Sequence, residues 1–227
     1  MTAPIERLDW QDIAAQLDNE GFALLPGLLS PDEARQLARD VEALPCVPLT
    51  ELGRGELFPF GDALPAPWTT WRPALYRHLS VIANRWNERL DIAHRYPSEW
   101  SEFVARCRRA GQSRPQSHLN RLRAEDYLSL HRRDEGEHVF PLQIAALLGE
   151  PGRDFEGGEF VMTEQRPRMQ SRPMVLPLAL GDAAIITTAA RPAKGSAGDY
   201  RVQLRHAISR VRSGERVGFE LSFHDAP

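Results

Sequence analysis

The feature that most constrains the fold is a change of hydrophobic rhythm near residue 115. Before it, apolar residues recur at helical spacing. The stretch "LDWQDIAAQLDNEGF" places Ile13 and Leu17 on one stripe, with Asp9 as a possible N-cap and Gly21 as a stop, and "FALLPGLL" then reads as a short buried strand. "SPDEARQLARDVEAL" has Ser30 as N-cap, Pro31 at the first helical position and Glu33 at the capping-box position. "RPALYRHLSVIANRWNERL" aligns Leu75, Leu79, Ile82, Trp86 and Leu90, and "SEWSEFVARCRRAG" aligns Trp100, Phe103, Val104 and Cys107. Residues 43–71, rich in Pro, Gly and aromatics, read as a long loop over the surface or over a pocket, and loops of such length are often functional.

After residue 115 short apolar segments take over. Residues 138–148, 157–165, 173–180, 181–190, 200–212 and 216–225 are separated by Gly, Pro and charged turns. Strands behind helices indicate an α+β, mainly β architecture: a sandwich or jelly roll buttressed by N-terminal helices. At 227 residues this is one compact unit, a helical part over 1–114 packing on a β core over 115–227.

The formal charge of −3 argues against a general nucleic-acid binder, although Lys194 is the only lysine among the basic residues. The arginine run at 106, 108, 109, 114, 121 and 123 reads as a solvated face, because no interleaved aromatics suggest base stacking. No apolar run approaches a membrane span and the start lacks a leader pattern, so a cytoplasmic protein is expected, with neither membrane nor nucleic acid as partner. Cys46 and Cys107 read as free thiols, and His138 and His224 as structural.

Two histidines stand out on predicted strands far apart in sequence. His131 ends "DYLSLH", and His206 lies in "YRVQLRHAISRVRSGER", ten residues before Arg216. Two histidines with a nearby acid are the composition of the facial triad that leaves open positions on Fe(II). The segments "GFALLPGLLSPDEARQL", "ANRWNERL", "AGQSRP", "GEHVFPLQIAALLGEPGRDFEGGEFVMTEQRPRMQSRP" and "YRVQLRHAISRVRSGERVGFELSFHDA" together resemble a bacterial family of Fe(II)/2-oxoglutarate-dependent oxygenases of the prolyl-hydroxylase-like type. The resemblance implies a double-stranded β-helix, a jelly-roll variant, with helices packed on one side. It also implies Fe(II), 2-oxoglutarate as cosubstrate, and hydroxylation by O2 of an amino-acid, peptidyl or small-molecule substrate, with succinate and CO2 as co-products.

That family carries His-x-Asp, a distal His, and ten residues later an Arg that grips the far carboxylate of 2-oxoglutarate. His131, His206 and Arg216 match three of these positions, but Arg133 stands where the Asp belongs. Along a strand, residues i and i+2 share a face about 6.6 Å apart and i+3 faces away. Three alternatives stay open for the metal's carboxylate: Asp134 swung round by a bulge, taken first; Glu135, if the chain folds back; or no protein carboxylate. Tyr127 shares the face of His131 on an extended strand and is expected to line the cosubstrate pocket. The rival reading is a catalytically silent binding or regulatory protein of the same fold, closed by Arg133.

Overall fold

The computed structural model describes residues 3–61, 63–196 and 198–227. The chain opens with helices α1 (Ala3–Glu6) and α2 (Trp10–Glu20), strand β1 (Phe22–Leu25), helix α3 (Pro31–Arg39) and a short 3-10 turn. Three short strands follow, β2 (Val47–Pro48), β3 (Gly53–Arg54) and β4 (Glu56–Pro59), then the long helix α4 (Trp68–Arg89) and α5 (Trp100–Arg109). Ten strands complete it: β5 (His118–Arg123), β6 (Tyr127–His131), β7 (Leu142–Leu147), β8 (Phe155–Gly157), β9 (Phe160–Gln165), β10 (Arg172–Leu176), β11 (Ala183–Thr187), β12 (Ala190–Gly195), β13 (Gly198–Ile208) and β14 (Val211–Leu221).

The helix signals work as read. Asp9 caps α2 by accepting from the N–H groups of Gln11 and Asp12, and Gly21 ends it in the left-handed region at φ 80°. Ser30 and Glu33 form a reciprocal capping box on α3. The predicted loop over 43–71 is a correction in part. It holds β2, β3 and β4, and α4 begins inside it at Trp68; residue 62 lies outside the described residues.

All strand pairs between the named strands are antiparallel. The larger sheet runs β1-β11-β7-β14-β5-β4-β2, and the smaller runs β10-β9-β13-β6-β3 with β12 on β13. The larger sheet is buried on both faces, which explains its unbroken apolar strands. Leu142, Ile144, Ala183, Ile185, Phe219 and Leu221 pack with the helices, while Ala145, Leu147, Ala184 and Ile186 face the smaller sheet with Met162, Leu176 and Leu204. Phe219 stacks on Trp68 of α4 at 4.3 Å between centroids, locking the helical layer to the sheet. On β7, "LQIAAL", the one polar side chain is Gln143, and it points between the sheets with Ala145 and Leu147.

Candidate metal centre

β6 and β13 are neighbours in the smaller sheet, with His131 directly opposite His206. Their rings lie 4.2 Å apart between centroids, and both are buried. Across the core, β14 turns Arg216, Gly218 and Glu220 inward, because side chains two apart share a face. The Glu220 carboxylate arrives between the histidines, 3.9 Å from His206 Nε2. One donor atom from each of His131, His206 and Glu220 lies within 4.8 Å of the others.

Neither acid expected from "LHRRDEGEH" joins this group. Asp134 is exposed and pairs with Arg132 at 3.4 Å, and Glu135 is exposed and pairs with Arg114 at 3.2 Å. β6 ends at His131, but the alternation continues two residues further, so Arg133 turns inward and Asp134 outward. The Arg133 guanidinium reaches His118 Nε2 at 3.5 Å and Glu220 Oε2 at 3.8 Å. The position that the resemblance reserves for a carboxylate thus carries a cation, and the carboxylate comes from the opposite sheet.

Tyr127 is a second correction. It is 43% exposed, and Leu128 is buried in its place. The register shifts between the pairs His206↔His131 and Ile208↔Leu128, and this irregularity moves Tyr127 to the outer face. His118 and Asn120 were also missed, because β5 lies inside the segment read as a basic run. Its alternation in "HLNRLR" was a usable signal, as was Glu220, an acid between the buried apolar residues of "VGFELSF".

The donor set fits a divalent metal. His131 Nδ1 must donate to the Ser129 carbonyl at 2.9 Å, which leaves Nε2 as a bare lone pair, buried and without a hydrogen-bond partner. Glu220 Oε2 is likewise buried without a hydrogen-bond partner, and His206 Nε2 meets the Gln143 amide at 3.1 Å. Two imidazoles and one carboxylate are the ligands of a non-haem Fe(II) centre with open positions. Burial pushes His118 down to about 4 and His206 down to about 3, and it lowers His131 as well. All three imidazoles are therefore neutral at neutral pH, the form that ligates. Burial alone would raise Glu220, but His118, Arg133, His206 and His131 outweigh it and hold the carboxyl at about 2.

The centre lies between two cavities. Phe160, stacked on His206 at 5.8 Å, lines the first, of about 410 Å³, together with Arg216, Arg212, Phe155 and Leu176. Arg216 is fully enclosed: Nε donates to the Gly158 carbonyl at 2.8 Å and Nη1 to Asn120 Oδ1 at 3.1 Å. Gly218 makes room for this contact, since a Cβ there would sit 2.7 Å from Arg216 Nη1 and 2.8 Å from Asn120 Oδ1. Burial lowers Arg216 to about 10, so it stays a cation at neutral pH. His118 and Arg133, the two neighbours of Glu220, line the second cavity, of about 480 Å³. Its other wall is the 47–59 segment, the portion of the chain anticipated to cover either the surface or a pocket.

Residues 55–226 match the Oxygenase-NA family, described as an oxygenase catalysing oxidative methylation of damaged DNA. An uncharacterized protein of Mycobacterium tuberculosis is 39% identical over 155 residues, which is 68% of this chain and 66% of that one. The match thus spans just under two thirds of that relative's length. Among solved structures, a Pseudomonas putida prolyl-4-hydroxylase superposes with a TM-score of 0.57 at 12% identity, covering 96% of this chain and 99% of that one. A Burkholderia pseudomallei oxidoreductase of the 2OG-Fe(II) oxygenase family gives 0.58 at 18% identity, covering 97% and 93%. A Trichoplax adhaerens prolyl hydroxylase, in complex with a hypoxia inducible factor peptide, gives 0.57 at 11% identity, covering 98% and 91%. The shared fold is the jelly roll; the Burkholderia protein is named for 2OG and Fe(II), and the other two are named as prolyl hydroxylases.

Proposed function

The chain belongs to the Oxygenase-NA family, and on that premise we propose that it is an Fe(II)/2-oxoglutarate-dependent oxygenase whose iron is held by His131, His206 and Glu220. The observation that carries this reading is the convergence of three buried donors, two of them left without hydrogen-bond partners, inside the jelly roll. Iron so held would let O2 oxidise 2-oxoglutarate to succinate and CO2 and a substrate C–H bond to C–OH.

The protein's own share is positioning and exclusion of water. Arg216, with Nε and Nη1 engaged by Gly158 and Asn120, is fixed to offer its remaining edge to the far carboxylate of 2-oxoglutarate. Its rigidity matters because a bidentate contact loses little entropy only when the guanidinium is already placed. The Ser129 carbonyl orients His131 through Nδ1, as outer partners of metal-bound histidines do, whereas the Gln143 amide meets His206 on Nε2, the nitrogen nearest Glu220, and would have to turn away for a metal to bind there. Phe160, Leu147 and Leu176 wall the Arg216 cavity with apolar surface.

The family description would extend the substrate to damaged DNA. Favouring a smaller substrate, Arg106, Arg114, Arg121 and Arg123 each pair with a Glu carboxylate and do not form an open phosphate-binding row. The second cavity has the volume of ordinary small-molecule sites. The primary substrate proposed is therefore a small molecule or a single residue of a larger one.

Anaerobic titration with Fe(II) and 2-oxoglutarate tests the reading through the visible charge-transfer band of the ternary complex. The band should form in the wild type and in Asp134→Ala and vanish in Glu220→Gln. A second reading, a silent binding module, is favoured by the inward Arg133 beside Glu220. It predicts no band and no retained iron in the wild type.

A further inference from the structure

We propose that Arg133 is a receptor for an anionic group, carboxylate or phosphate, of the primary substrate, and that metal uptake at Glu220 releases it for that task. The inference rests on the reading of His131, His206 and Glu220 as metal ligands. Its observation is one oxygen with two suitors. Glu220 Oε2, the atom without a hydrogen-bond partner, lies 3.9 Å from His206 Nε2 and 3.8 Å from Arg133 Nη2.

A metal ion on Oε2 withdraws that charge from Arg133 and adds a dication within a few ångströms of the guanidinium. The side chain is long and partly open, at 17% exposure, and it already lines the second cavity. The other oxygen of Glu220, Oε1, is held by His118 at 3.8 Å and by Asn120 at 3.5 Å. Of the two acids that line the cavity, Glu135 is engaged by Arg114 at 3.2 Å, and Glu51 is exposed on the opposite wall, where solvent screens its charge. A guanidinium left without a counter-charge in a half-buried site is unfavourable, and a planar carboxylate or a phosphate restores two parallel hydrogen bonds. The ligand that enters beside the metal should therefore bring its own negative charge.

Metal and anion are then linked, and linkage is reciprocal: each raises the affinity of the other by one common factor. Arg133 is here a binding residue, distinct in role from Arg216, which faces the other cavity.

The test uses the full chain, Co(II) as the metal, and methyl phosphate or acetate as the anion, with no 2-oxoglutarate present. Co(II) affinity is read from its visible absorption and by calorimetry in the wild type, Arg133→Ala and the size-preserving Arg133→Gln. In the wild type the preferred anion should tighten Co(II) binding about tenfold, within the usual range of coupling between sites. In both variants Co(II) alone should bind about as tightly as it does to the wild type with anion, and added anion should change nothing. Which of the two anions acts distinguishes a phosphate from a carboxylate recognition group. An anion effect that persists in the variants, or is absent from the wild type while Co(II) binds, overturns the proposal. Failure of Co(II) to bind any of the three proteins overturns the metal reading itself, a different result from the previous two.

Discussion

At the scale of single residues, the site is a set of short-range placements with little slack. Gly218 is the clearest, since its missing Cβ is the space in which Arg216 and Asn120 meet. Gly218→Ala should displace the guanidinium and weaken 2-oxoglutarate binding at least tenfold, measured by calorimetry on the Co(II) form. Co(II) affinity itself should stay unchanged, because Gly218 touches none of the three donors; a parallel loss of Co(II) would refute the assignment. Of the residues that the structure brings together, His131, His206 and Arg216 were legible in the sequence, through strand alternation and the resemblance, whereas the leading expectation had Asp134 swung inward and Arg133 pointing away. Glu220 was not legible, although it is the carboxylate that closes the group.

At the scale of elements, one device stabilises a single helix and another holds the helical layer to the barrel. The capping box of α3 is local, and Ser30→Ala should lower stability by about 1 kcal/mol in urea unfolding without changing cosubstrate binding. The other is long-range. Arg191 donates to the carbonyls of Asp18 and Asn19 at the end of α2 and to Glu164 Oε2 on β9 at 2.5 Å, with Arg191 and Glu164 themselves buried. Leaving one buried partner of such a pair uncompensated costs about 3–5 kcal/mol. Arg166 still pairs with the other oxygen of Glu164 at 2.7 Å, so Arg191→Met should cost less than that, about 2–3 kcal/mol, and the double variant with Glu164→Gln should recover part of it; additivity of the two losses would show that the pair acts as two independent residues.

At the scale of the whole molecule, acid and metal should act on stability in opposite directions. His224 accepts from the Phe140 N–H at 3.3 Å, and burial, with Arg133 and Arg72 adding to it, pushes it down to about 4. Its ordinary value is near 6.5, so between about 6.5 and 4 the unfolded chain binds the extra proton. The stability it contributes is complete above about 6.5 and is lost as pH falls towards 4, to the extent of about 3 kcal/mol. Urea unfolding at pH 7 and pH 5 should show a slope of this sign, to which the buried His118, His206 and His131 add, and His224→Gln should reduce it by the share of His224 alone. Co(II) at a hundred times its dissociation constant should stabilise the fold by about 2.7 kcal/mol, and a chelator should reverse the gain. No helix among the described residues is long and apolar enough to cross a membrane.

By itself the sequence determined whatever depends on neighbours within a few residues. Caps at Asp9 and Ser30, helical stripes and the turn to strands near 115 all follow from periods of 3.6 and 2 and from short side chains at chain reversals. Only the tertiary structure decided the carboxylate, the outward position of Tyr127 and the two cavities. Glu220 meets His131 and His206 because two sheets pack face to face, and no sequence period records which strand lies across a core. A single irregularity between β6 and β13 sufficed to exchange Tyr127 for Leu128, since one residue of slip moves a side chain to the opposite face.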